Sequence, residues 1–238
     1  MQLNVRDAAE LLFVSEKTIY RWVKQNELPA YKINGQYRFS RAELLEWATS
    51  HRINISTQIF QEIDAGSVPS PGLAEALRTG GIHYRIGGTE KASVLKACIE
   101  VMPLPEGVDR KLLFQVIMAR ETLGTTAVGD GVAIPHVRNP IVLHLPRPMV
   151  SLFFLDSPIE FGALDGKPVH TLFVIVSPTI SAHLNLLSQL AFALRQTEFK
   201  EIIARRGSRE EIDEEARRIA RLIDERRESS AASRDEEE

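Results

Sequence analysis

Ala8, Leu11 and Leu12, then Ile19, Trp22 and Val23, recur at the three-to-four-residue spacing that gathers side chains on one face of a helix. Asn4 precedes the first stripe, with Asp7 three positions on as the reciprocal half of a capping box. Phe13 and Val14 make a short turn, and Ser15 caps a second helix over 16–25. The rhythm then changes. From Ala30 to Phe39 apolar and polar residues alternate around Asn34–Gly35, the strongest short hairpin signal. Tyr31, Ile33, Tyr37 and Phe39 are expected to give this hairpin one packed face. Ser40 and Glu43 predict a further capping box, with Leu44, Leu45 and Trp47 on the buried side of its helix.

Beyond a stretch at 54–71 that ends in Gly, Ser and Pro and reads as a tether, helices and strands alternate. Residues 82–86 read as a strand, and Thr89 as the cap of a helix over 90–101 that Pro103 and Pro105 end. A helix over 110–123 follows. Val132 to Ile134 forms a buried strand that Pro135 terminates, and 150–155 and 171–177 are further apolar strands. Pro178 to Ser181 opens a helix carrying Leu184, Leu187, Leu190, Ala191 and Leu194. Such alternation implies an α/β sandwich with a mixed sheet. The expected division is therefore 1–53, a small winged helix-turn-helix; 54–71, a linker; 72–228, the sandwich; and 229–238, an acidic tail too poor in apolar residues to pack and expected to be disordered.

Composition narrows the classes. At 238 residues, 44% hydrophobic and 26% charged, the chain has the make-up of an ordinary globular protein. A net charge of −3 excludes nucleic-acid binding by the whole surface, so any basic patch is local. The single cysteine, Cys98, falls in a helical apolar pattern; it excludes an internal disulfide framework and fits a reducing compartment. There is no signal-peptide pattern and no apolar run of membrane-spanning length, so a cytoplasmic protein with no membrane partner is expected.

Candidate chemistry concentrates in RETLGTTAVGDGVAIPHVR, Arg120 to Arg138. His136 stands where a core strand meets the surface, with Arg120 upstream, Arg138 downstream and Gly129 and Gly131 just before the strand. An imidazole among guanidinium groups and glycine backbone suits phosphoryl uptake: the ring is the nucleophile, and arginines hold the oxygens. His183 lies in the first turn of the helix that follows Pro178, where the dipole end favours an anion. A structural role for a lone loop histidine is the bland alternative, and the second histidine weighs against it.

Three ordered blocks, RETLGTTAVGDGVAIPH at Arg120–His136, IEFGALDGKPVHTLFVIVSP at Ile159–Pro178 and HLNLLSQLAFAL at His183–Leu194, resemble the enzyme IIA domains of the bacterial phosphoenolpyruvate-dependent phosphotransferase system. The likeness is to the fructose/mannitol type, and most to its nitrogen-regulatory subgroup. It spans 72–224. The resemblance implies that His136 is the phosphorylated residue and that Arg120 and His183 are its auxiliary residues; Arg138, in the motif's flank, and Gly129 and Gly131, just before the strand, are further candidates to hold the phosphate from their placement alone. It also implies a histidine-containing phosphocarrier protein as partner and no cofactor.

LNVRDAAELLFVSEKTIYRWVKQNELPAYKINGQYRFSRAELLEWA similarly resembles the excisionase/MerR-like winged helix-turn-helix domains. Lys17, Arg21 and Lys24 share a helix face, and Lys32, Gln36 and Arg38 lie on the wing; these are placed to meet phosphates, with Ser15 and Thr18 toward base edges. DNA is thus the second expected partner, and a homodimer is expected because one small reading head binds weakly. The combined expectation is a regulatory phosphoryl acceptor that couples the state of His136 to DNA binding. The alternative is a DNA-binding protein whose IIA-like part is a dimerisation or docking scaffold. A metal site is not expected, since no carboxylate or cysteine stands at ligand spacing beside His136 or His183. His83, His144 and His170 have no partner motif and are taken as structural.

Overall fold

The computed structural model describes residues 2–33, 35–51, 53, 71–137 and 145–235, with side chains as far as residue 225. Arg138, His144 and most of the expected linker lie outside the described residues.

The first unit is a winged helix. Strand β1 (Gln2–Leu3) leads into α1 (Val5–Leu11) and α2 (Glu16–Lys24). Both caps follow the sequence: Asn4 and Asp7 form the capping box, and Ser15 accepts from the Thr18 amide. A hairpin of β2 (Tyr31–Ile33) and β3 (Gln36–Ser40) is the wing, with β1 completing a three-stranded sheet in the order β1-β3-β2. Helix α3 (Arg41–Ser50) closes the unit. Two expectations fail here. Tyr31 and Ile33 are exposed, and only Phe39 is fully buried, because the hairpin packs through its β3 end. Ser40 makes no side-chain cap, and Glu43 instead accepts from the Tyr31 hydroxyl at 2.8 Å.

The second unit opens with α4 (Leu73–Gly80) and β4 (Ile82–Ile86), then α5 (Lys91–Val101) and α6 (Arg110–Glu121). Glu90, not Thr89, is the N-cap of α5. Strands β5 (Ala127–Gly129), β6 (Val132–Ala133), β7 (Met149–Ile159) and β8 (Val169–Val176) follow. Last come α7 (Ile180–Ala193), α8 (Thr197–Ala204) and α9 (Arg209–Asp235). The sheet runs β4-β7-β8-β6-β5 and is mixed: β4 with β7 and β6 with β8 are parallel, while β7 with β8 and β5 with β6 are antiparallel.

Side chains on β7 alternate between the two faces, as a period of two requires. Val150, Leu152 and Phe154 join the core with α4, α7, α8 and α9, whereas Phe153 and Leu155 face α5 and α6. The first of these cores continues without a break through Leu44, Leu45 and Trp47 into the winged unit, and α3 lies against α7 and β5. Helix α9 stays helical to Asp235, past Ser229, where disorder was expected. Its pairs Arg217–Asp213 and Arg218–Glu215 are spaced to support a helix, and a helix once nucleated propagates readily through the alanines that follow. Among the described residues no helix is long and apolar enough to cross a membrane.

Candidate active site

Pro135 ends β6, and the next residue, His136, still bridges to Ile175 of β8. This last contact fixes the backbone of His136 at the strand end. The ring is fixed as well: Nδ1 lies 2.7 Å from the Ile134 carbonyl. A carbonyl only accepts, so Nδ1 carries the proton, and Nε2 is the nitrogen turned into the site.

Helix α6 delivers Arg120 from its last turn. The guanidinium donates through Nη1 to the Gly124 carbonyl at 2.9 Å, tying the arginine to the loop that leaves the helix. That loop is itself anchored. Buried Glu121 pairs with Lys91 at 3.0 Å and accepts from the Thr126 amide and hydroxyl. Helix α7 brings His183, whose ring centroid lies 5.0 Å from that of His136. Burial first, then the charge of His136, lowers the His183 imidazole to about 3, so it is neutral at ordinary pH. Its Nε2 is buried without a hydrogen-bond partner. The amides of Ala182 and His183 bond to Thr179, so at these two positions α7 contributes a ring and a dipole end but no free N–H.

One participant was not foreseen. Glu46, on α3 of the winged unit, reaches into the pocket. Its Oε2 accepts from Arg120 Nη2 at 2.7 Å and from Nε at 3.1 Å. Its Oε1 lies 3.0 Å from His136 Nε2, at ion-pair distance though without hydrogen-bond alignment. Burial alone would push this carboxyl up; His136 and Arg120 together overcome that and hold it at about 2. The site is closed: His136 and His183 are each 3% exposed. A cleft of about 550 Å³ remains at its edge, between the wing and the sandwich, with Leu123 and Leu164 exposed on its rim.

His136, His183 and Arg120 are thus brought together. Gly129 and Gly131 are not part of this group. Both have positive φ and form the tight β5–β6 turn. Gly131 accepts from the amides of His170 and Thr171, whereas His136 pairs with Ile175, four residues further along β8 and so about 13 Å away. Their glycine character serves the turn, and at Gly131 also close packing against the His170 ring. His83 stacks on Phe153, and His170 contacts the Thr171 hydroxyl, as structural histidines do. No carboxylate stands at ligand spacing beside either histidine in the sequence, but the fold brings one from the winged unit: Glu46, His136 and His183 hold ligand atoms within 4.8 Å of one another. The set has the donors for a divalent cation, but the Arg120 guanidinium on the same carboxylate places a positive charge against one. On the winged unit Lys17, Arg21 and Lys24 are exposed along α2, with Lys32 and Gln36 exposed on the wing. Ser15 is occupied as the cap and contacts the Thr18 hydroxyl, and Arg38 donates to Gln36.

A mixed-sheet α/β sandwich with an imidazole at a strand end, joined to a winged helix-turn-helix, defines the class: a phosphotransferase IIA-type fold carrying a helix-turn-helix head. Residues 77–216 match the family of the phosphoenolpyruvate-dependent sugar phosphotransferase system, EIIA 2, and residues 3–52 match a helix-turn-helix domain. The chain belongs to the EIIA 2 family. It is 36% identical over 133 residues to a nitrogen regulatory protein of Pseudomonas aeruginosa, covering 54% of this chain and 84% of the relative. To that of Escherichia coli it is 30% identical over 149 residues, covering 62% and 88%. The crystal structure of nitrogen regulatory protein IIA-Ntr from Neisseria meningitidis superposes with a TM-score of 0.52 at 28% identity, covering 60% of this chain and 97% of that one.

Proposed function

We propose that the protein is a regulatory phosphoryl acceptor: His136 takes a phosphoryl group from a histidine phosphocarrier protein, and the modification is read out through DNA binding by the winged unit. The observation that carries this reading is the buried meeting of His136 Nε2, the Arg120 guanidinium and the His183 ring around one bound carboxylate. A pocket that holds a carboxylate between an arginine and an imidazole has the donors that a phosphoryl group needs.

In the reaction the electron pair on Nε2 forms the new P–N bond while the bond to the donor's imidazole breaks and its pair returns to that ring nitrogen. Nδ1 keeps its proton throughout. The Ile134 carbonyl stabilises the positive charge the His136 ring acquires. Arg120 balances the phosphoryl oxygens, and neutral His183 is positioned to donate from its unpartnered Nε2. Little else is required, since phosphoryl transfer rests on positioning and electrostatics. Leu123 and Leu164 on the rim offer apolar contact to the carrier. Lys17, Arg21, Lys24 and Lys32 supply phosphate contacts to DNA, and a homodimer would double the reading head.

The test is incubation with phosphoenolpyruvate, enzyme I and the histidine phosphocarrier, followed by mass measurement. An acid-labile gain of one phosphoryl, absent in His136→Ala, supports the reading. No gain with every cognate component active leaves the second reading, a docking scaffold, which the closed state of the pocket favours.

A further inference from the structure

The pocket already holds an anion, and the anion comes from the other unit. Glu46 sits on α3, and its two oxygens divide the site: Oε2 takes both Arg120 donors, Oε1 faces His136 Nε2. Phosphoryl oxygens on Nε2 would need the same guanidinium and the same volume. Glu46 is therefore a carboxylate standing where a phosphoryl group would stand. Around it α3 is seated against α7 and β5 in a continuous apolar core, so the charged contact is the centre of a real interface. The interface is also incompletely filled, for the adjoining cleft of about 550 Å³ runs in beside Glu46. Incomplete packing leaves an interface less costly to open.

We propose that Glu46 is an internal ligand of the phosphoryl pocket, which latches the winged unit to the sandwich until phosphorylation of His136 expels it. This rests on the phosphoacceptor reading above. Three physical steps follow. The docked ring is not placed to attack, because Nδ1 donates to Ile134 and the Glu46 carboxylate stands 3.0 Å from Nε2, on the side from which the phosphorus must approach. It is also shielded from a second protein, being 3% exposed. Opening must therefore come first, clearing Nε2 so that its electron pair can form the P–N bond. Once phosphorylated, the pocket cannot take Glu46 back: the phosphorus and its oxygens fill the space, Arg120 is engaged by the new anion, and two buried negative charges would face each other.

The coupling is reciprocal by thermodynamic necessity. Whatever favours the parted state accelerates phosphorylation, and phosphorylation favours the parted state. Lys17, Arg21 and Lys24 are exposed even when docked. The latch therefore does not uncover the basic face; it controls whether the head is held rigidly on the sandwich or released from it.

The experiment uses the full chain with nitroxide labels at Glu10→Cys and Lys200→Cys, both exposed, Cys98 being fully buried. Distances are measured before and after phosphorylation in the parent, Glu46→Gln and Glu46→Arg proteins, with circular dichroism to verify folding. Expected are one narrow distance in the unmodified parent, a broad and longer distribution on phosphorylation, and the same broad distribution in unmodified Glu46→Arg. Phosphorylation of Glu46→Gln should be faster by on the order of 10-fold. Phosphorylation of all three at one rate with an unchanged distance overturns the latch and leaves the phosphoacceptor reading intact. No phosphorylation even of an opened Glu46→Arg overturns both.

Discussion

Glu46 and Arg120 are separated by 74 positions in the chain, yet hydrogen bonds of 2.7 and 3.1 Å join their side chains within the interface between the two units. Arg120 thus has two claims on it, one from the phosphoryl site proposed for its own domain and one from the head. A residue with two claims is the natural place for states to be exchanged.

On the proposed reading, Arg120→Ala removes the main counter-charge to the phosphoryl group. Phosphorylation of His136 should slow by roughly 10²- to 10³-fold, the loss seen when one oxyanion donor is deleted. Arg120→Lys should recover only part of this, because an ammonium is a point charge and cannot reproduce the Nε and Nη2 pair of contacts. Quenched-flow transfer from the labelled phosphocarrier measures both. Rates equal to the parent's would remove Arg120 from the site.

The acidity of Glu46 gives a pH test. Its carboxyl is held at about 2 when docked, against an ordinary value of 4.5. A depressed carboxylate contributes stability that is fully present above 4.5 and is lost as pH falls from there toward 2. Facing it are Arg120, His136 and, more distantly, neutral His183. The stability difference between the parent and Glu46→Gln, from denaturant melts, should hold steady from pH 6 to about 5 and then shrink toward zero near 2. A difference that grows on acidification would contradict the ion-pair geometry.

Much of this was legible in the sequence because it is local. The Asn4–Asp7 capping box, the hairpin of β2 and β3 and the apolar strand over 150–155 depend on neighbours within a few positions, and each appears where its pattern lay, whereas the Ser40–Glu43 box does not form. His136 was legible because the strand-ending Pro135 presents it. Gly129 and Gly131 are close to His136 in sequence, but a strand carries the chain about 13 Å between their turn and the ring's pairing partner. Glu46 was not legible at all. It lies in a helix whose other signals concern its own unit, and nothing local marks a carboxylate that pairs 74 positions away.

Gly131→Ala separates the glycine's structural role from the chemistry. Its φ is +74°, and an added Cβ would lie 2.4 Å from the His170 ring. The substitution should destabilise by about 1–3 kcal/mol through backbone strain and displacement of that ring. At a temperature where the variant is folded, its phosphorylation rate should match the parent's. A selective loss of phosphoryl transfer without loss of stability would restore the glycine to the phosphate site.

The basic face of α2 makes a graded prediction. Lys17→Ala, Arg21→Ala and Lys24→Ala should each weaken binding to duplex DNA about equally across sequences, and each should lower the slope of log affinity against log salt by about 1. Fluorescence anisotropy across a salt series reads this out. Unchanged slopes in all three would mean that the helix face is merely solvated.

Tryptophan emission reports the latch without labels. The chain has two tryptophans, Trp22 and Trp47, and both lie in the winged unit. Trp47 neighbours Glu46 on α3, stacks on His51 at 4.5 Å, packs against Trp22 at 5.1 Å and lines the cleft between the units. Its burial depends partly on the sandwich, whereas Trp22 packs within the head. Parting the units should therefore wet Trp47 and shift emission to the red. The shift should appear when the parent is phosphorylated, should be present beforehand in Glu46→Arg, and should be absent from His136→Ala treated with the same phosphocarrier mixture. Trp22→Phe should leave it in place, since the responding ring is Trp47. Phosphorylation without any shift, in a protein whose Glu46→Arg variant does shift, would show that the phosphoryl group enters the pocket with the head still docked.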